Sequence, residues 1–135
     1  MDTCIFCKII LKEIPKYYIY EDDSVVAFLD IHPTQKGHTL IIPKKHSDTF
    51  LETDDAVLAH SACVAKKIGK ALKDAVGADG VNIITNNGLA AGQIVSHLHT
   101  HIIPRFIGDG LMHWPGGTYS SGEEQDIAEA IKKSL

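Results

Sequence analysis

The stretch Ser96-His97-Leu98-His99-Thr100-His101-Ile102-Ile103 restricts the possible fold more than any other part of the chain. Its histidines recur at i, i+2 and i+4, which is the period of an extended strand and not of a helix. On a strand all three imidazoles share one face, in a row of about 13 Å at 3.3 Å per residue. Leu98, Thr100 and Ile102 then occupy the opposite face, mostly against a core. Three idle imidazoles on an apolar strand would be costly, so the row calls for ligands or chemistry. Two uses suit it. One is a zinc centre built from several of the rings. The other is nucleophilic catalysis, in which one ring attacks and its neighbours tune it.

The rest of the chain supplies a sheet around that strand, expected over Ile94–Pro104. Ile5–Leu11 reads as a short helix or turn stopped near Pro15. Tyr17–Glu21 and Ser24–Leu29 read as strands around the acidic turn Glu21-Asp22-Asp23. His38–Ile42 follows Gly37 and ends at Pro43. From Asp54 to about Val76 the period turns helical, with Leu58, Ala62, Ala65, Ile68 and Leu72 on one stripe. Thr53 or Asp54 is placed to cap that helix and Gly77 to end it. Cys63 within it reads as a small buried side chain. Gly80–Thr85 is a further strand, Asn86–Gln93 a loop, Gly108–Gly122 loop-like, and Gln125–Leu135 an amphipathic terminal helix. Strands in adjacent pairs with one long helix among them predict an antiparallel α+β sheet in a single domain spanning 1–135.

Charge narrows the partners. With 13 basic and 17 acidic side chains the net charge is −4, which argues against sequence-independent binding to a nucleic-acid backbone. A small anionic ligand is still compatible, because backbone amides and imidazoles can hold one phosphate. The start, MDTCIFCKII, lacks a cationic segment followed by a long apolar run, and no stretch approaches a membrane span. The chain is therefore expected in the cytoplasm, where disulfides are rare. Its 3 cysteines then need another explanation. Cys4-Ile5-Phe6-Cys7 is a C-x-x-C that suits zinc or a redox pair, and the βαβ context of redox proteins is missing.

Ala91–Arg105, which contains the histidine row, resembles the signature of the histidine-triad (HIT) family. The likeness continues through Cys4–Ile10, Ala27–Ile31 and Gly37–His46, in register, and Met112-His113-Trp114-Pro115 is similar to the C-terminal end of the Hint branch. The resemblance implies the HIT fold, a five-stranded antiparallel sheet with one long helix and a short C-terminal helix, assembled as a homodimer. It implies hydrolysis at the α-phosphate of a nucleotide through a nucleotidyl-histidine intermediate, with purine nucleoside phosphoramidates releasing AMP as the expected substrates. A dinucleoside polyphosphate hydrolase, or a nucleotide-binding regulator of slow turnover, are the alternatives.

Carried over residue by residue, the resemblance makes His99 the nucleophile. His101 would bind the phosphate or move protons to the leaving group, and His38 would hydrogen-bond into the triad. Asn86, Gly92, Gln93 and Ile94 match phosphate-loop positions. At Ile94 many members carry Ser or Thr, so only a backbone amide remains there. Asp30 matches the residue that grips the ribose hydroxyls. Ile5, Phe6, Ile9, Phe28 and Ile31 match the apolar sandwich around the base. The same likeness completes the C-x-x-C with His46 and His97. Cys4, Cys7, His46 and His97 would then form a closed, structural zinc site, leaving His99 free for chemistry. His32 and His60 receive no role, and His113 and Trp114 are left open between the active site and a second subunit.

Overall fold

The computed structural model describes residues 3–135. Helix α1 (Ile5–Ile10) is followed by strands β1 (Tyr18–Glu21), β2 (Val25–Leu29) and β3 (Thr39–Pro43). The long helix α2 (Asp55–Val76) comes next, then β4 (Gly80–Thr85), β5 (Thr100–Arg105) and the terminal helix α3 (Glu123–Ser134). The five strands form one antiparallel sheet in the order β1-β2-β3-β5-β4.

Alternation along the strands gives the sheet two different faces. Val25, Ala27, Ile41 and Ile102 pack on Val64, Ala65, Ile68 and Leu72 of α2. Val26, Phe28, Leu40 and Ile42 point the other way and pack on Phe6 and Ile9 of α1. The central strands are thus covered on both sides, while α3 buries no residue. Gly77 ends α2 in the left-handed conformation at φ 68°, where a residue without Cβ is unstrained. Gly37 turns the chain into β3 at φ 100°, and a Cβ there would sit 2.9 Å from Leu72 Cδ1.

Four expectations are corrected. The stripe of α2 that is buried is Ser61, Val64, Ala65, Ile68, Gly69 and Leu72, so Ala62 faces outward. With Val64 at the centre of that stripe, Cys63 falls about 100° round the helix and is exposed. Asp54 occupies the N-cap position, but its carboxylate makes no capping bond and instead meets Lys45 Nζ at 2.6 Å. The last strand begins at Thr100 and not at Ile94. Its ladder with β3 runs only from Thr39↔Ile102 to Ile41↔Thr100. Two residues beyond Ile41, Pro43 has no N–H to donate, and its carbonyl accepts from His97 Nε2 at 2.8 Å. The segment before the strand is tied elsewhere, with Leu98 N–H donating to Ser47 O at 2.8 Å.

Candidate active site and metal centre

Helix α1 begins on the C-x-x-C. Cys4 is its N-cap and its Sγ accepts from Cys7 N–H, so a three-residue spacing puts both sulfurs at the same helix end. Two imidazoles from distant parts of the chain face them. Cys4 Sγ lies 3.4 Å from His97 Nδ1, Cys7 Sγ 3.3 Å from His46 Nδ1, and Cys7 Sγ 3.6 Å from His97 Nδ1. All four donor atoms lie within 4.8 Å of one another. A tetrahedral zinc with bonds near 2.3 Å to sulfur and 2.0 Å to nitrogen sets its ligands about 3.5 Å apart, so the cluster has the right size. Its outer partners are also in place. His97 Nε2–H donates to Pro43 O at 2.8 Å and His46 Nε2–H to Asp48 Oδ1 at 3.0 Å. Each hydrogen bond fixes the proton on Nε2 and turns the Nδ1 lone pair toward the sulfurs. The donor set fits zinc. Burial lowers the pKa of His97 and raises that of Cys7, whose neighbour Cys4 adds to the effect.

The other rings form a chain whose tautomers can be assigned from its anchors. Thr34 N–H donates to His38 Nδ1 at 3.1 Å, so the proton of neutral His38 is on Nε2. That Nε2–H donates to His101 Nδ1 at 2.9 Å, which leaves the His101 proton on Nε2. His99 Nδ1–H donates to His97 O at 2.8 Å, so His99 Nε2 keeps a free lone pair. The two rings stand side by side, 5.0 Å between centroids. One presents an electron pair and the other an N–H. Phe6 holds the far side of His99 edge-on, also at 5.0 Å.

Electrostatics keeps these rings neutral. Burial lowers the pKa of His99, against a smaller rise from its bond to the His97 carbonyl and from Asp30. His101 is pushed down to about 4, by burial first and then by His99 and His38. His38 is also lowered by burial, with Asp30 opposing. Asp30, His38 and His101 bring three possible metal ligands within 4.8 Å. The Thr34 amide, however, keeps His38 Nδ1 as an acceptor and its proton on Nε2, the atom a metal would need. His38 and His101 therefore form a hydrogen-bonded relay, with Asp30 Oδ2 3.8 Å from His38 Nε2.

Both rings open on a cavity of about 360 Å³ lined by Ile5, Phe6, Ile9, Phe28, Asp30, Ile31, Asn86, Gly92, Ile94, His99 and His101. These are the residues singled out in the sequence, save one. Gln93 is buried and does not line the cavity. Its Oε1 accepts from Gly88 N–H and its Nε2 donates to the carbonyls of Asp48 and Val95. Its own N–H is held by Gly88 O, so it braces the loop and has no donor left for a phosphate. Ile94 stands 88% exposed at the rim. Its N–H, by contrast, makes no hydrogen bond among the described residues.

Lys16, His32, Leu40 and Val95 also line the cavity and were not foreseen. Leu40 was legible, because strand alternation sets it on the face of Ile42. Lys16 was not, because the β1–β2 register shifts between Tyr18 and Tyr20. His113 and Trp114 line a separate cavity with Asn82, Ile84 and Arg105, away from His99. Among the described residues no helix is long and apolar enough to cross a membrane.

The HIT domain family model matches residues 11–108 of the chain. The adenosine 5′-monophosphoramidase hnt1 of Schizosaccharomyces pombe is 39% identical over 135 residues, 98% of this chain and 98% of its own length. The crystal structure of a HIT family member from Bacillus subtilis gives a TM-score of 0.90 at 42% identity, covering 98% of this chain and 97% of that one. A zinc-bound histidine triad family protein from Mycobacterium smegmatis gives 0.79 at 34% identity, covering 99% of both chains.

Proposed function

The chain belongs to the HIT domain family, and from that premise and the histidine geometry we propose that it hydrolyses purine nucleoside phosphoramidates at the α-phosphate, releasing AMP or its purine counterpart. The observation that carries this reading is the anchoring of His99 Nδ1–H on the His97 carbonyl. It leaves Nε2 as a neutral nucleophile at the mouth of an apolar cavity, beside the His101 N–H. A relative that acts on adenosine 5′-monophosphoramidate supports the same chemistry.

In this mechanism the base lies between Ile5, Ile9, Phe28 and Ile31, and Asp30 accepts from both ribose hydroxyls. Asp30 Oδ1 is already turned by the His32 N–H at 2.9 Å, which holds the carboxylate in place. Asn86 and the amides around Gly92 and Ile94 meet the phosphate oxygens. His99 Nε2 attacks phosphorus, the P–N bond to the amine breaks, and the departing nitrogen takes a proton from solvent, which is given back by the water that attacks in the second step. His101 Nε2–H, held by His38, hydrogen-bonds the phosphoryl group as charge builds on it. Water then attacks phosphorus, the His99–P bond breaks, and the nucleotide leaves with its configuration inverted twice.

Cys4, Cys7, His46 and His97 would hold zinc as a structural ion that ties α1 to the segment before β5, the one contribution it makes when bound. We assign the chain to the cytoplasm, where these thiols stay reduced, and to a homodimer. The test is AMP release from adenosine 5′-phosphoramidate by the wild type and by His99→Ala, with zinc measured on the same samples. Turnover lost by several orders of magnitude with zinc unchanged is expected, since the nucleophile itself is removed. Retained activity in His99→Ala refutes the nucleophile. No turnover by the wild type refutes the substrate and favours polyphosphate hydrolysis or slow binding.

A further inference from the structure

Aromatic rings lead away from the nucleophile in steps. Phe6 lies 5.0 Å from His99, Phe28 lies 6.3 Å from Phe6, and the Lys16 ammonium lies 5.9 Å from the Phe28 centroid. Along this path two aromatic rings separate Lys16 from the reacting atoms. If phosphorus is at His99 and the ribose at Asp30, the base extends over Phe28 and its polar edge arrives at Lys16.

Most of the lining there is apolar and grips the face of any base alike. Lys16 differs from the rest. Its side chain is half-buried, yet its ammonium makes no hydrogen bond or ion pair among the described residues. Asp30, the acidic residue of the same lining, makes no ion pair with it and accepts from the His32 N–H. An ammonium has three donors and no acceptor of its own, so on this largely apolar lining it is the group placed to donate to a ligand. His32 lines the same end, but an imidazole donates or accepts according to its tautomer and so fits either kind of edge.

Purines divide on this point. Guanine presents O6 beside N7, two neighbouring acceptors, and hypoxanthine does the same. Adenine presents an N6 amino donor beside N7. Resting on the reading of this cavity as a nucleotide site, we propose that Lys16 determines base specificity, so that the chain prefers 6-oxopurine nucleotides of the guanosine and inosine type over adenosine nucleotides.

The test compares kcat/KM for guanosine and adenosine 5′-phosphoramidates, and Kd for GMP and AMP by calorimetry, in the wild type, Lys16→Met and Lys16→Arg. Methionine keeps the stem over Phe28 without the charge, and arginine restores a donor. The wild type should favour guanosine by about tenfold, the methionine variant should bring the ratio near unity, and arginine should restore it. Lack of a guanosine preference in the wild type overturns the proposal. So does a preference that survives Lys16→Met, or an equal loss for both bases, which would mean that Lys16 only covers the ring. If neither conjugate is turned over but GMP still binds more tightly through Lys16, the hydrolase reading fails and this one stands. If neither nucleotide binds, both fall.

Discussion

Replacing His101 with phenylalanine tests the assigned relay most directly. The substitution keeps a ring of similar size beside His38 and His99 but removes the N–H that faces the cavity. That proton is on Nε2 because His38 Nε2–H occupies Nδ1 at 2.9 Å. With its pKa down to about 4, the resting ring is neutral, so its contribution is a positioned hydrogen bond to developing negative charge. Donors of that kind are worth about 10²–10³ in kcat, or roughly 2.7–4 kcal/mol. A hydrogen bond that merely exchanges with solvent contributes about 0.5–1.5 kcal/mol, a few-fold at most in rate. His101→Phe should therefore lower kcat at least a hundredfold with little change in KM, a split expected when an interaction forms only in the transition state. His101→Gln retains an amide N–H and should fall between the two. Saturating AMP-release assays give kcat, and alkali-quenched samples, in which the P–N bond survives, show whether the nucleotidyl-protein still forms, as it should in His101→Phe and not in His99→Ala. Thermal melts establish that each variant is folded. A phenylalanine variant within about threefold of the wild type, the size of a solvent-exchanged bond, refutes the relay; so does a loss confined to KM.

Two further outcomes are expected. The protein should carry about one zinc per chain, and the double variant Cys4→Ser, Cys7→Ser should lose it and melt at least several degrees lower; a double variant with full zinc content would refute the ligand set. Acid should destabilise the fold through His101, because burial disfavours its charged form and the unfolded chain takes the proton first. That stability is present above the unfolded value near 6.5 and is lost as pH falls toward about 4, amounting to about 3 kcal/mol at most. Denaturant titrations between those limits should show the decline, flattened in His101→Phe, and an unchanged slope would exclude the ring as its source.

Much of the site was legible because side-chain direction follows local period. The i, i+2, i+4 spacing of His97, His99 and His101 separates them from Leu98, Thr100 and Ile102; Ile102 packs on α2, and Leu98 and Thr100 line a cavity with its Ser61 and Ala65. That separation holds even though His97 and His99 precede the strand. The three-residue step from Cys4 to Cys7, placed at a helix start, brings two sulfurs together. Resemblance to a family supplied what period does not carry: that His38 serves the triad and that His46 completes the cysteines.

The rest was settled by contacts between distant segments, which no local pattern records. The stripe of α2 was read one position off at its first turns, since a helix of small residues there has several faces of similar polarity, and only tertiary packing selects Ser61 over Ala62. Gln93 has the composition of a phosphate ligand, yet its amide is consumed by the Gly88 N–H and by the carbonyls of Asp48 and Val95. The β1–β2 register shifts between Tyr18 and Tyr20, and a one-residue slip exchanges the partners along a strand, so no local pattern carries the place of Lys16 in the lining. Thus the sequence by itself determined which side chains share a face and which residue types the chemistry would use. The tertiary structure decided which nitrogen of each imidazole carries its proton, because that depends on a single carbonyl or amide, of Pro43, His97 or Thr34, standing within hydrogen-bond distance.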